Sequence, residues 1–302
     1  MISAGHYAVL SVKDTGCSMD EETQRRAFEP NEGIAPHAAR RVLRELRDAG
    51  NDKPVAPTSV RTTLRAPLQR YALDSLQRHL RELRDRHVED GALVVLDNAS
   101  GEVLAWVGSS GPLSQAAEVD GVTALRQPGS TLKPLLYAQA LAEKRITAAS
   151  LIEDSSAQIS TASGLYIPQN YDRRFKGPVS APTALAASLN VPAVRTLVMV
   201  SPEAFARELR AAGLPLRESG DYYGYSLALG SAEVSLLSLA NAYRMMANGG
   251  RFGATTLTPR PPAPAGKQKP AEAAPLLDPR AAFIVSDILS DPNARTRTFG
   301  LH

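Results

Sequence analysis

Arg126-Gln127-Pro128-Gly129-Ser130-Thr131-Leu132-Lys133-Pro134 leads directly into Leu135-Leu136-Tyr137-Ala138-Gln139-Ala140-Leu141, a nearly all-apolar run. A helix beginning near Ser130 accommodates Pro134, because the N–H groups of a first turn have no intrahelical acceptor to lose. Ser130 and Lys133, the chain's only Ser-x-x-Lys, then stand one turn apart on the same face. An ammonium on a helix otherwise made of Leu, Ala and Tyr is desolvated, which disfavours its charge. To act as a base near neutrality, the lysine must fall from ~10.4 to roughly 7–8, a shift of about 4 kcal/mol. The helix N-terminus supplies only ~0.3–1 kcal/mol of that, so desolvation and a neighbouring cation carry the rest. A neutral Lys133 in hydrogen-bond reach takes the proton from Ser130, whose hydroxyl is otherwise a poor nucleophile. The competing reading of the same residues is an N-cap serine followed by a lysine that snorkels to water.

A second feature is Ser188-Leu189-Asn190, the only Ser-x-Asn, set between two alanine-rich helical runs and just before Val191-Pro192. Pro192 pushes Val191 away from the helical region, which predicts an exposed loop at an inter-helix junction. Such a loop offers a hydroxyl and an amide to a cleft. The competing reading is a helix stop followed by a capped helix start.

Working outward, residues 91–110 read as a hairpin: Ala92-Leu93-Val94-Val95-Leu96, a turn at Asp97 to Gly101, then Val103-Leu104-Ala105-Trp106-Val107. Two consecutive apolar strands imply a sheet covered on both faces. Upstream, the arginine-rich stretch 33–90 contains a long helix after Pro67, with the stripe Leu68, Ala72, Leu76, Leu80, Leu83. Asp74, Glu82 and Asp85 are interleaved with its arginines, which makes a solvated face rather than an anion site. Residues 1–32 alternate through Tyr7, Val9 and Ser11, turn at Asp14-Thr15-Gly16, and carry a short polar helical pattern from Asp20 to Phe28. From 128 to 250 the pattern is mostly helical, with Pro182, Pro192, Pro202 and Pro215 near helix starts and Asn248-Gly249-Gly250 as a stop. Residues 259–275 read as a loop, and Arg280 to Leu289 as a last helix. The coarse class is α+β.

Composition narrows the function. The 302 residues are about two domains' worth, and 43% hydrophobic content is enough for a sizeable core. A net charge of +3 over this length is too slight for a nucleic-acid footprint. One cysteine, Cys17, excludes an internal disulfide, a zinc cluster and a Cys-x-x-Cys redox pair. The site reading calls for no metal and no cofactor. No stretch approaches the ~18 apolar residues of a membrane span, and Met1 to Leu10 lacks the basic start and apolar run of a signal peptide. As written, the sequence has no export route, which points to the cytoplasm.

Taken together, the segments around Ser130 and Ser188 resemble the first two signatures of the penicillin-binding transpeptidases. Gly121-Val122, Asn170-Tyr171-Asp172, Gly177-Pro178-Val179, Tyr223-Gly224 and Leu227-Ala228-Leu229-Gly230 are similar to the class A members, in particular their 1C subgroup. The similarity runs from about Ala35 to His302. It implies an antiparallel sheet flanked by helices and a serine acyl-transfer mechanism in peptidoglycan synthesis. Ser130 would attack the penultimate D-alanine carbonyl of a stem peptide, with Lys133 as general base. Ser188 would relay the proton to the leaving amine, and Asn190 would bind substrate and help position Lys133. The backbone N–H of Ser130 would donate to the oxyanion, and β-lactams would acylate the same serine. The family works at the periplasmic face of the bacterial inner membrane.

Three departures from the family accompany the resemblance. No lysine is followed by Thr-Gly or Ser-Gly, so the third signature is absent, and Arg297-Thr298-Phe299-Gly300-Leu301 resembles the segment that shortly precedes it. This predicts a truncated chain that is inactive or badly impaired, whose 91–107 hairpin lacks its normal strand partners. The family's membrane anchor and glycosyltransferase domain are not in this sequence. In their place Asp14-Thr15-Gly16-Cys17-Ser18 and Phe28-Glu29-Pro30 resemble the nucleotide box of histidine-kinase ATPase domains, with Ser18 where the second glycine belongs. A fused or rearranged reading frame explains this better than ATP binding. The expected organisation is therefore 1–32 kinase-like remnant, 33–90 linker and helical region, and 91–302 transpeptidase domain. The alternatives are an inactive rearranged fragment and a serine β-lactamase-like hydrolase.

Overall fold

Val103–Val107 is buried at every position, and the expected hairpin forms around it. The computed structural model describes residues 9–11, 33–49, 59–161, 164–260 and 274–300. It divides into two compact units, residues 1–124 with 235–240 and 254–272, and residues 125–234 with 241–253 and 273–302. The kinase-like segment Asp14 to Pro30 lies outside the described residues.

In the first unit β1 (Val9–Ser11) pairs antiparallel with β2 (Ser59–Arg61). A helix the sequence reading does not single out, α1 (Pro36–Ala49), precedes the expected long helix, α2 (Ala66–Glu82). Of the α2 stripe, Ala72 and Leu80 are buried, whereas Leu83 is 42% exposed because the helix has already ended at Glu82. The hairpin pairs β3 (Leu93–Leu96) with β4 (Val103–Val107), and its register skips Leu104. That bulge puts Val103 and Trp106 on one face, packed with Ala38, Val42, Leu64, Val122 and Leu257. Ala105 and Val107 face the other way, against Ala72 and the leucines of α2. The sheet is thus covered on both faces, as its apolar strands imply.

β3 and β4 form a two-stranded sheet among the described residues. The outer edge of β4 is nevertheless hydrogen-bonded, by residues of α2 and of the stretch just before it. Gln69, 1% exposed, accepts from the Trp106 N–H at 2.7 Å and donates to the Trp106 carbonyl at 2.8 Å. Its amide stands in for a neighbouring strand. Arg65 N–H donates to the Leu104 carbonyl at 2.9 Å, and Thr63 Oγ1 to the Val103 carbonyl at 2.7 Å. A buried strand edge without these partners costs roughly 1–3 kcal/mol for each unmet group.

The second unit is built around α3 (Lys133–Ala142), in which every residue from Lys133 to Ala140 is buried. A helix apolar all round must be enclosed. It is followed by strands β5 (Leu151–Asp154), β6 (Ile159–Thr161), β7 (Gly164–Tyr166) and β8 (Gly177–Ser180). β5 pairs with β8 and β6 with β7, all antiparallel. Residues 128–250 are mostly helical as expected, but these four strands are not anticipated: at three or four residues each they are too short to give a clear period-2 signal. Helices α4 (Ala181–Ala186), α5 (Asn190–Val200), α6 (Pro202–Ala211) and α7 (Gly220–Tyr223) come next, then α8 (Leu236–Ala247), of which residues from 241 on belong to this unit, α9 (Pro279–Ser290) and α10 (Thr296–Phe299).

Pro182 and Pro202 lie in first turns as expected. Pro215 starts no helix, because Ser219 is the residue whose hydroxyl accepts the first-turn N–H of Tyr222. The Asn248-Gly249-Gly250 stop follows α8, with both glycines at positive φ. Within the expected 259–275 loop, Ala274-Pro275 instead forms a short strand, β10, pairing with Arg251-Phe252 (β9). The predicted α+β class holds.

Candidate active site

A single turn of 3-10 helix, Gly129–Leu132, precedes α3, and Pro134 is its second residue, where the missing N–H costs nothing. The turn is held by its neighbours through backbone and bare space. Arg126 and Val234 exchange N–H to carbonyl bonds of 3.0 and 2.9 Å. Gly230, at φ +75°, approaches so closely that a Cβ there would lie 2.1 Å from the Gly129 carbonyl oxygen. Tyr243 of α8 donates its hydroxyl to the Thr131 carbonyl at 2.8 Å. Burial pushes the Tyr243 phenol up to about 12, so it remains a donor at neutral pH. Ser130 is exposed at this turn, three residues before Lys133.

Lys133 is 1% exposed, which excludes the snorkelling alternative. Its Nζ donates to the Ser188 carbonyl at 2.6 Å, to Asn190 Oδ1 at 2.8 Å and to Ser188 Oγ at 3.2 Å. None of these partners is charged. Burial lowers its pKa to about 7 without help from a neighbouring cation, which the sequence reading had required. When the amine is neutral it has two N–H groups and one lone pair. The carbonyl and the amide oxygen can then take the two N–H groups, which leaves the lone pair to accept from a hydroxyl.

Ser188 reaches this position because it ends a helix. Its N–H donates to Leu185 and the Leu189 N–H to Ala184, the paired bonds of a Schellman stop at the end of α4. The stop demands a left-handed residue, normally glycine, and Ser188 adopts φ +54° there. A non-glycine residue in that region costs about 1–2 kcal/mol. The helix-stop reading and the site reading of this triplet are therefore compatible.

One expectation fails here. Val191 is helical: α5 begins at Asn190 and takes Pro192 as its third residue. The proline effect on the preceding residue is outweighed because Asn170 Oδ1 accepts the N–H groups of both Asn190, at 2.9 Å, and Val191, at 3.3 Å. The triplet is also only partly exposed, with Leu189 buried at 5%. Asn170 donates in turn to both carboxyl oxygens of Asp154, each at 2.8 Å. Asn190 Nδ2 donates to the Gln169 carbonyl at 3.0 Å.

The fold thus brings Lys133, Ser188 and Asn190 into direct contact and sets Ser130 one turn before the lysine. Asp154, Asn170, Gly230 and Tyr243 were not singled out for any role by sequence reasoning. Asn170-Tyr171-Asp172 and Leu227 to Gly230 entered it only as parts of a resemblance. Among the described residues there is no cluster of three or more His, Cys, Asp or Glu that could hold a metal, and no helix long and apolar enough to cross a membrane.

Residues 91–291 match the penicillin binding protein transpeptidase domain family. Penicillin-binding protein 1C of Escherichia coli K12 is 37% identical over 235 residues, 77% of this chain and 29% of that protein. Penicillin-binding protein 1F of Bacillus subtilis is 37% identical over 166 residues, 54% of this chain and 22% of that protein. The chain therefore spans less than a third of the length of these curated relatives. Among solved structures, penicillin-binding protein 1A from Haemophilus influenzae aligns with a TM-score of 0.57 and 26% identity, covering 68% of this chain and 35% of that one. The apo transpeptidase domain of Burkholderia pseudomallei penicillin-binding protein 3 aligns at 0.60 and 20% identity, covering 76% and 69%, a likeness of fold alone. With two-thirds of its length matching that domain, and the two spaced signatures meeting at one buried lysine, the chain belongs to the penicillin-binding protein transpeptidase family.

Proposed function

We propose that this chain carries the acyl-transfer chemistry of a serine DD-transpeptidase acting on D-Ala-D-Ala stem peptides of peptidoglycan. Ser130 Oγ gives its proton to the neutral Lys133 amine and bonds to the penultimate D-alanine carbonyl carbon. The proton then passes from Lys133 through Ser188 Oγ to the departing amine of the terminal D-alanine. The acyl-enzyme is resolved by an amine from a neighbouring stem peptide, which forms the cross-link. Asn190 holds Lys133 and presents its amide to the substrate. The periplasmic face of the inner membrane is the compartment in which such a substrate is met.

The observation that carries this reading is the Lys133 amine, 1% exposed, with a pKa brought to about 7 by burial and hydrogen-bonded to Ser188 and Asn190. The strained φ of +54° at Ser188 supports it, since a helix stop without further duty is more stable with glycine. β-Lactams are the test. Incubation with a labelled penicillin followed by denaturing electrophoresis is expected to leave stable label on Ser130, absent from Ser130→Ala. No covalent label at saturating penicillin would sink the proposal, and rapid release of hydrolysed penicillin would move it to a β-lactamase.

A further inference from the structure

The contacts behind Asn190 lead away from the lysine to a carboxyl group with no hydrogen bond to it. Asp154, the last residue of β5, is fully buried. It accepts from Asn170 Nδ2 with both oxygens and from the Lys176 N–H at 2.9 Å. Asn170 is 5% exposed and also donates to the Arg174 carbonyl at 2.9 Å. With its NH2 group fixed by these acceptors, the amide can present only its oxygen to the start of α5.

The first N–H groups of any helix lack intrahelical partners. A local N-cap side chain usually meets them, but the N-cap of α5 is Leu189, which makes no such bond. Asn170 Oδ1 supplies the missing acceptor from 20 residues away, to Asn190 and Val191 together. The residue immediately before that cap is Ser188, whose carbonyl and hydroxyl meet Lys133. The borrowed cap therefore fixes where the helix begins and, with it, where three acceptors stand around the lysine.

We propose that Asp154 and Asn170 form a positioning pair that sets Ser188-Leu189-Asn190 against Lys133, so that the rate of Ser130 acylation depends on a buried amide two contacts away from the reacting atoms. This rests on the acyl-transfer reading above. Neither residue is a catalytic residue in this proposal: both act through the loop.

The test compares the full chain with Asn170→Ala and Asp154→Asn in two measurements, the time course of labelled-penicillin capture and hydrogen exchange at the Asn190 and Val191 amides. Asn170→Ala is expected to reach the same final stoichiometry with a rate constant about 10–100-fold lower, the scale of a misplaced catalytic group. Asp154→Asn retains one carbonyl acceptor and is expected to slow capture only a few-fold. Exchange at Asn190 and Val191 is expected to rise by about tenfold or more in Asn170→Ala, as their acceptor is gone. A merely structural role would lower the labelled fraction and leave the rate constant of the remainder unchanged. That result, or unchanged protection of the two amides, overturns the proposal. If the unmodified chain takes no label, the acyl-transfer reading fails by itself. The exchange measurement then still decides: lost protection supports the positioning, and retained protection overturns it. Should Asn170→Ala not fold, Asp154→Asn carries both readouts.

Discussion

The turn before Lys133 and the loop before Val191 each lead into a helix with a proline in its first turn, yet their supports differ in kind. Around Ser130 the neighbours contribute mainly backbone and empty space, the Arg126–Val234 bridge and the bare Cα of Gly230, together with the Tyr243 hydroxyl. Around Ser188 they contribute side chains, Asn170 and Asp154. A support made of missing atoms is broken by adding one, and a support made of an amide is broken by removing it. The polar contacts of the two halves converge on Lys133, so a perturbation of either should be read out there.

The largest effect should come from the meeting point. Lys133→Met removes the proposed base and is expected to slow acylation by about 10²–10⁴-fold. In the unmodified chain the rate should rise with pH through about 7, as the amine loses its proton, and fall away below that. A rate–pH profile flat across that value would count against a neutral lysine. Stability carries the same signature. Between about 7 and the ordinary 10.5 the unfolded chain holds a proton that the folded chain lacks, so stability should increase with pH through that window. Denaturant titrations at several pH values should show this slope, and Lys133→Met should flatten it.

Next in size is the added methyl. Gly230→Ala combines a φ of +75° with a Cβ 2.1 Å from the Gly129 carbonyl oxygen, so the Ser130 turn must shift. The expected cost is about 1–3 kcal/mol in thermal or denaturant melts, with slower penicillin capture. An unchanged capture rate would show that Gly230 supports the fold and not the turn. The smallest effect belongs to Tyr243→Phe, which deletes one hydrogen bond to the Thr131 carbonyl at a cost of about 1 kcal/mol. Capture should slow by a few-fold at most, which sharpens the contrast with Asn170→Ala.

How much of this was legible in the sequence follows the same division. Ser130 and Lys133 are three residues apart, so helical spacing alone puts them on one face. The Leu93–Leu96 and Val103–Val107 strands are adjacent, so apolar runs about a turn reveal their pairing. Asn170 was illegible as a cap because its partners lie 20 and 21 residues on, beyond any local pattern. For that reason the reading of Val191 as non-helical failed: proline's local preference was weighed without the distant acceptor that outweighs it. Gly230 acts at a distance of about a hundred residues through what it lacks, and no period in a sequence records a close approach. The strands between Leu151 and Ser180 escaped because they are short, although the Leu151–Asp154 burial alternates along the strand. There the second buried position is the carboxyl of Asp154, which a hydrophobicity pattern scores as surface.

The indole of Trp106 has a use outside the chemistry. It is the sequence's one tryptophan, 1% exposed, with its Nε1–H donated to Asp120 at 3.1 Å and the Arg41 guanidinium 5.4 Å above its ring. Indole emission, excited at wavelengths tyrosine does not absorb, is therefore a gauge of the first unit alone, while most tyrosine absorbance comes from the second. Melting curves followed by the two optical signals will coincide only if both units come apart in one cooperative step.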